Sequence, residues 1–365
     1  MFENKFYAYF WIKIWLFMNV ENFILTRPIV NLMTEIDEFK GAWQALGNIA
    51  PDRLLQLKKV ATIESIASST RIEGSILTDQ EVEQLLGNLK IQKFETRDEQ
   101  EVAGYADLMN IVFDNFNDIA LTENFIKQLH SYLMKYSEKD QWHKGQYKQM
   151  PNHVVATDPF GQVVGVVFET TTPLETPLRM EELVAWTVEN MKKKDWHPLL
   201  VIAFFVVSFL AIHPFQDGNG RLSRVLTTFL LLKTGYHYVA YSSLEAVIEK
   251  EKPAYYRALR QTQSSLRQTE PHWEAWVLFF LESMQKQKNN LEAKIKRERI
   301  LLTQLPDMSQ TILDMLRSTG RITIGELAKT TNYNRNTLRK HLENLVKTRQ
   351  IQQNGVGKGT WYSLM

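Results

Sequence analysis

Apolar residues recur at three- and four-residue spacings through almost all of the chain after Met33, the mark of amphipathic helices. Leu54, Leu55, Leu57, Val60, Ile63, Ile66 and Ala67 share one predicted helix over about 52–72, with Gly74 as its C-cap. Thr78-Asp79-Gln80-Glu81 has the spacing of a capping box, so a second helix opens there and buries Val82, Leu85 and Leu86. Further helices are predicted over 98–116 and 122–136. The pattern then changes: Val154, Val155, Val163, Val164, Val166, Val167 and Phe168 flank Asp158-Pro159-Phe160-Gly161, two β-rich runs around a turn. This predicts an isolated hairpin on a helical body.

Residues 199–212 are apolar apart from Ser208, so that helix lies at the centre of a bundle and is too short to span a membrane. It runs into His213-Pro214-Phe215-Gln216-Asp217-Gly218-Asn219-Gly220-Arg221, and a second apolar helix is predicted over 221–234. Residues 282–302 are polar, with Leu291, Ile295 and Leu302 sparsely spaced, and read as a linking helix. The tail reads as helices over 309–317, 323–330 and 334–349, followed by two short strands around a glycine-rich turn. That order resembles a winged helix-turn-helix.

Composition narrows the chemistry. The 365 residues include no cysteine, which excludes disulfides, thiol catalysis and thiolate metal sites. The net charge of +2 is small but unevenly spread: Pro306 to Met365 hold nine Lys/Arg against four Asp/Glu. A basic tail on a mildly acidic body implies different partners for the two parts. Residues 6–20 are apolar and aromatic but interrupted by Lys13, too short to span a membrane and without a signal-peptide cleavage site. They read as an N-terminal extension, and the protein as cytoplasmic and not membrane-bound.

The segment His213 to Arg224 concentrates chemistry. Gly218-Asn219-Gly220 precedes a helix N-terminus, where backbone N–H groups and partial positive charge suit a phosphate. Arg221 and Arg224 lie at i, i+3 and add two cations at the positive end of the helix, which an anion would offset. Asp217 suits Mg²⁺ bridging phosphates, and His213 suits a general base. A base, a metal ligand, an anion nest and two arginines point to nucleotidyl or phosphoryl transfer.

HPFQDGNGR followed by Arg224 resembles the Fic signature, HxFx(D/E)GNGRxxR, at every fixed position. The resemblance covers about 33–285, including the hairpin, Gly145-x-Tyr147-Lys148 before it and Tyr255-Tyr256 after it; Lys148 stands where family members often have Arg. It implies a mainly α, Fic-type helical bundle with a β-hairpin flap, plus the C-terminal winged helix-turn-helix. The implied segments are an N-terminal extension (1–32), a helical region with an inhibitory helix (33–97), the catalytic core (98–285), a linker helix (286–305) and the winged domain (306–365).

The implied activity is transfer of AMP from ATP, with Mg²⁺, to a Ser, Thr or Tyr hydroxyl of a protein target or of the chain itself. On that resemblance His213 deprotonates the hydroxyl and Asp217 holds Mg²⁺. Gly218, Asn219, Gly220 and Arg221 form the anion hole, and Arg224 pairs the γ-phosphate. Tyr255 and Tyr256 line the nucleoside pocket with Gln263 nearby, and Val166, Val167, Phe168 and Glu169 of the flap cover the nucleotide and hold the target.

Ser69-Thr70-Arg71-Ile72-Glu73-Gly74 fits the family's inhibitory pattern, (S/T)xxxE(G/N), which implies that Glu73 pairs Arg224 and blocks the γ-phosphate site. Related proteins carrying this Glu can also remove AMP. A homodimer is also implied. In the tail, Arg335, Asn336, Arg339, Lys340 and Lys358 would meet DNA, or the domain would dock a protein. A nucleotide-sensing transcription regulator is the alternative to the enzyme; the intact catalytic and metal residues favour the enzyme.

Overall fold

The computed structural model describes residues 19–45, 51–87, 94–152, 154–157, 163–303, 307–331, 333–347 and 350–364; side chains of 154–167 lie outside that description. The 6–20 segment falls almost wholly outside it. Two compact units divide the chain, one holding Lys58–Lys288 together with the residues up to Ala45, the other Leu46–Leu57 and Asn289–Met365.

In the first unit the elements are α1 (Arg27–Ala45), α2 (Pro51–Ile72, which begins in the other unit), α3 (Asp79–Gly87), α4 (Arg97–Asn115) and α5 (Glu123–Leu133). The hairpin β1 (Val154–Thr157) and β2 (Val163–Phe168) follows, then α6 (Thr176–Lys193), α7 (Pro198–Ile212), α8 (Asn219–Lys233), a 3₁₀ turn, α9 (Leu244–Lys250) and α10 (Lys252–Gln263). α11 (Glu274–Thr303) is one unbroken helix, and the division between the units falls inside it at Lys288. The polar segment read as a linking helix is therefore the second half of a helix whose first half is core.

α7 is the centre of this unit. All fourteen residues Leu199–Ile212 are buried, and the helix packs against α6, α8 and α10. Pro198 starts it at a position where the missing N–H costs nothing. Phe204 is fully buried, with Phe23, Trp273 and Trp196 around it edge-on at ring separations of 5.2, 5.0 and 5.8 Å. Trp186 is a fourth ring partner at 6.2 Å, so truncating Phe204 removes an aromatic side chain from four. Phe204→Ala is expected to cost about 3–5 kcal/mol and lower the melting temperature by several degrees; a calorimetric scan with an unshifted melt would contradict that packing.

The sequence reading began the domain at Met33. α1 starts at Arg27, and Val20 and Ile29 upstream of Met33 are buried. Asn19 is tied to the Thr269–Trp273 segment, its side chain donating to Thr269 and its carbonyl accepting from Trp273 Nε1. The capping box at Thr78–Glu81 is present as predicted, and a second one, Thr96–Glu99, opens α4. β1 and β2 pair antiparallel, with irregularities after Val154 and after Ala156.

The second unit ends in α12 (Asp307–Thr319), α13 (Ile324–Thr331), α14 (Arg335–Lys347) and the antiparallel pair β3 (Ile351–Asn354) and β4 (Trp361–Leu364). Ile312, Leu316, Leu327, Leu338, Leu342 and Tyr362 belong to its core, and the Ile322–Tyr362 bridge ties the α12–α13 turn to the wing. Among the described residues no helix is long and apolar enough to cross a membrane.

Candidate active site

The site is built where α7 gives way to α8. His213 caps α7 in the left-handed region at φ 53°, a conformation shared by only one other non-glycine residue among those described. Pro214 prevents the helix from continuing. Phe215 is fully buried and stacks on the His130 ring at 3.9 Å.

Gly218 then takes φ 79° as the N-cap of α8, and a Cβ there would collide with Met134. α8 begins at Asn219, two residues earlier than the sequence suggested, so Gly218-Asn219-Gly220 is a cap and first turn. The Leu222 N–H closes the first intrahelical bond to the Gly218 carbonyl at 2.9 Å. The N–H groups of Asn219, Gly220 and Arg221 are thus left at the positive end of the helix. The Asn219 side chain is spent locally: its Oδ1 accepts from Phe215 N–H at 2.9 Å and its Nδ2 donates to the Phe215 carbonyl at 2.7 Å. Its amide shapes the turn, and only its backbone N–H is available to an anion.

His213 Nδ1 lies 3.3 Å from the Leu210 carbonyl. A carbonyl can only accept, so Nδ1 carries the proton and Nε2 is the free acceptor. Burial lowers the His213 pKa to about 4, against the raising effect of that hydrogen bond. The imidazole is therefore neutral at physiological pH, as a base must be.

The two motif arginines point to different acids. Arg224 is buried; its Nη2 meets Glu73 Oε1 at 2.7 Å and the Ser69 carbonyl at 3.0 Å, and its Nε donates to Ser69 Oγ at 2.8 Å. Burial pushes the Glu73 carboxyl up, but Arg224 and then Arg221 outweigh it and hold the group below the usual carboxylate range. A Cβ on Gly220 would collide with Glu73 Oε1, so the missing side chain is what lets this carboxylate approach the first turn of α8.

Arg221 instead pairs Glu101 at 3.0 Å and Asp217 at 3.3 Å, while Arg97 pairs Glu101 at 2.7 Å and approaches Asp217 at 3.6 Å. These four alternate in sign around a closed ring. Burial raises the Asp217 pKa, and Arg221, the Gly218 N–H and Arg97 more than reverse it.

A cleft of about 690 Å³ opens over this turn, a size suited to a nucleotide-sized ligand. His213, Asp217, Gly218, Asn219, Gly220 and Glu73 line one part of it; Tyr255, Tyr256 and Gln263 of α10 line another, and Phe168 of β2 also borders it. Arg221 and Arg224 lie behind this lining. Tyr255 is buried and Tyr256 partly exposed, their rings 5.1 Å apart. Val166 and Val167 lie on β2 with side chains outside the description; Glu169 is exposed and 3.6 Å from Arg267. Gly74, at φ 108°, follows α2 and turns the chain away after Glu73.

No group of three or more His, Cys, Asp or Glu able to hold a metal is present among the described residues. Of the two carboxylates lining the cleft, Glu73 is taken by Arg224, and Asp217 alone would suit Mg²⁺ carried in with a polyphosphate, because that ion keeps its waters and needs one or two protein carboxylates.

Sequence reading missed Glu101, Arg97, His130 and Asn152. His130 donates from Nε2 to the Asp217 carbonyl at 3.1 Å and accepts at Nδ1 from Gly145 N–H at 2.9 Å, with its pKa lowered to about 4 by burial. None of the four lies in a motif. Each reaches the turn only through the packing of α4, α5 or the pre-hairpin loop, which no local spacing reveals.

The Fic/DOC family model matches residues 120–231, and the model for winged helix-turn-helix DNA-binding domains matches residues 307–352. Proteins named protein adenylyltransferase Fic from Drosophila mojavensis and Drosophila grimshawi are each 25% identical to this chain, over 64% and 62% of its length. The chain spans less than half of those relatives, 44% and 43%. Among solved structures, a Fic family protein from Desulfovibrio desulfuricans G20 has a TM-score of 0.62 at 22% identity, covering 94% of this chain and 97% of its own. A Fic domain-containing signaling protein from Bacteroides thetaiotaomicron has a TM-score of 0.56 at 23% identity, covering 71% and 97%. The segment that carries the His213–Arg224 turn thus matches the Fic/DOC family, and the C-terminal end matches winged helix-turn-helix DNA-binding domains.

Proposed function

We propose that this chain is a protein adenylyltransferase that moves AMP from ATP to a protein hydroxyl and is held in check by Glu73. The observation that carries the first half is the meeting, in one cleft, of a neutral His213 and the open N–H groups of α8. The observation that carries the second is the Arg224–Glu73 pair at 2.7 Å.

In this reading the nucleotide polyphosphate lies across the N-terminus of α8, where the N–H groups of Asn219, Gly220 and Arg221 meet its oxygens. Asp217 would hold Mg²⁺ together with those phosphates, and the ion would neutralise charge there. A target hydroxyl gives its proton to His213 Nε2 as its oxygen bonds to the α-phosphorus, and pyrophosphate leaves. Tyr255 and Tyr256 flank the nucleoside. The free edge of β2 offers main-chain groups to an extended target segment.

Glu73 places a carboxylate beside Gly220 and on Arg224, where the terminal phosphate belongs, so the donor is kept from seating fully. With Glu73 facing the same cleft as His213, activation of water for AMP removal is a second use of this carboxylate.

The test uses ATP labelled at either end with Mg²⁺. Covalent label from α-labelled ATP and none from γ-labelled ATP is the expected result; label from the γ-position would replace this reading with phosphoryl transfer. Asp217→Asn keeps the shape and removes the charge. It is expected to raise the Mg²⁺ concentration for half-maximal labelling about tenfold, and an unchanged Mg²⁺ titration would remove Asp217 from the metal role.

For the tail, DNA contact through α14 is the reading that the winged-helix match favours. Arg335, Asn336, Arg339 and Lys340 are exposed, while Leu338, Leu342 and Leu345 of the same helix are buried. A basic, polar face opposite an apolar one suits major-groove entry. Lys358 sits in the wing turn, its side chain outside the description.

A further inference from the structure

Four consecutive carbonyls of the catalytic turn are held by two residues outside it. Lys148 Nζ donates to the Ile212 carbonyl at 3.0 Å and Lys148 N–H to the Pro214 carbonyl at 2.8 Å. Asn152 Nδ2 donates to the carbonyls of His213 at 3.1 Å and Phe215 at 2.6 Å. Asn152 is itself fixed by Lys148, whose Nζ reaches its Oδ1 at 2.7 Å, and Thr170 Oγ1 bonds both, at 3.0 Å to Nζ and 2.9 Å to Oδ1. The turn gripped in this way contains His213, whose left-handed backbone is strained for a residue with a side chain.

The chemistry of the grip is specific to a charged amine. An ammonium has three donors and no acceptor, and here Nζ meets three oxygens, all neutral. A neutral amine has only two N–H groups, and to meet its lone pair Thr170 would have to turn its O–H away from Asn152 Oδ1. Lys148 is 3% exposed, and no carboxylate among the described residues pairs with it. The titratable side chains around it are His213, which is neutral, and Glu169 beside Thr170, which is exposed and turned to Arg267. Tyr147, its neighbour in sequence, is engaged with Glu123.

We propose that Lys148 is a positioning residue for transfer: its ammonium, acting with Asn152, locks the Ile212–Phe215 turn and so aims the His213 ring, and loss of that charge slows the chemical step without loosening the donor. This rests on the function proposed above. Burial lowers the Lys148 pKa to about 7, so the charged form declines through neutral pH.

The experiment compares Lys148→Met and Lys148→Arg in full-length protein carrying Glu73→Gly. Lys148→Met is expected to lower kcat about tenfold with the ATP dissociation constant changed less than about twofold. Lys148→Arg keeps a charge at every pH used. It is expected to restore kcat and to abolish the decline that the lysine form shows above pH 7. An unchanged kcat in Lys148→Met, or the same alkaline decline in Lys148→Arg, would overturn the proposal.

A second readout is independent of turnover. The ¹³C-labelled His213 ring, assigned by difference from His213→Ala, is expected to titrate at higher pH in Lys148→Met, because the Lys148 charge depresses it. Should Glu73→Gly transfer no AMP, the proposed function fails and the role of Lys148 in transfer falls with it; transfer by Glu73→Gly together with an unmoved ring in Lys148→Met overturns the Lys148 proposal alone.

Discussion

Glu73→Gly is expected to raise the rate of AMP incorporation by about 10²- to 10³-fold at fixed ATP. The magnitude follows from occupancy. If the carboxylate leaves the transfer-competent pose filled about 1% of the time or less, releasing Arg224 recovers that factor. Glu73 is held below the usual carboxylate range by Arg224, so it stays ionised through neutral and mildly acidic pH. Its pairing contributes stability above the unfolded carboxylate pKa and loses it only as pH falls through the lower, folded one. A drop from pH 8 to 6 therefore leaves the restraint in place, and a competing phosphate or a movement of α2 is needed to lift it.

Removing the carboxylate also leaves Arg224 buried without its counter-charge, which destabilises the unliganded protein. Glu73→Gly should thus melt below the wild type without ATP and gain more on adding it, since the ligand then supplies the missing anion. An activity equal to wild type, with equal thermal shifts, would separate Glu73 from control of the site.

Much of this arrangement was legible in the sequence because it is local. The apolar run 199–212, the hairpin around 158–161 and the nine residues HPFQDGNGR are contiguous, and their physics depends on near neighbours. Glycine at 218 and 220 signalled a tight turn, and the structure assigns each a distinct reason, a positive φ at one and the approach of Glu73 at the other. The inhibitory pattern also pointed Glu73 at Arg224, and the two are paired. What the sequence could not convey is the partner of Arg221, which α8 turns to Glu101 and Asp217. That pairing depends on which residues of α4 lie opposite. The same holds for Lys148, legible only as a family position until Asn152 and Thr170 are seen around it.

His213→Ala in the Glu73→Gly background is expected to reduce transfer by about 10³-fold, within the range for loss of a positioned general base. ATP binding should be nearly unchanged, because the phosphates are met by backbone N–H groups of α8 that do not depend on the ring. The pH dependence gives a second check. Transfer needs neutral imidazole, and with the pKa at about 4 the neutral form persists down to mildly acidic pH. Glu73 raises the His213 pKa, so the acid limb of kcat/KM for the Glu73→Gly protein should lie at or below about pH 4, well below the 6.5 of an unperturbed histidine. A limb near 6.5 would mean that the ring is solvated in the working enzyme and that the closed geometry around Leu210 opens before reaction. Retention of most of the transfer rate in His213→Ala would mean that the target hydroxyl loses its proton elsewhere, leaving His213 as the cap of α7 alone.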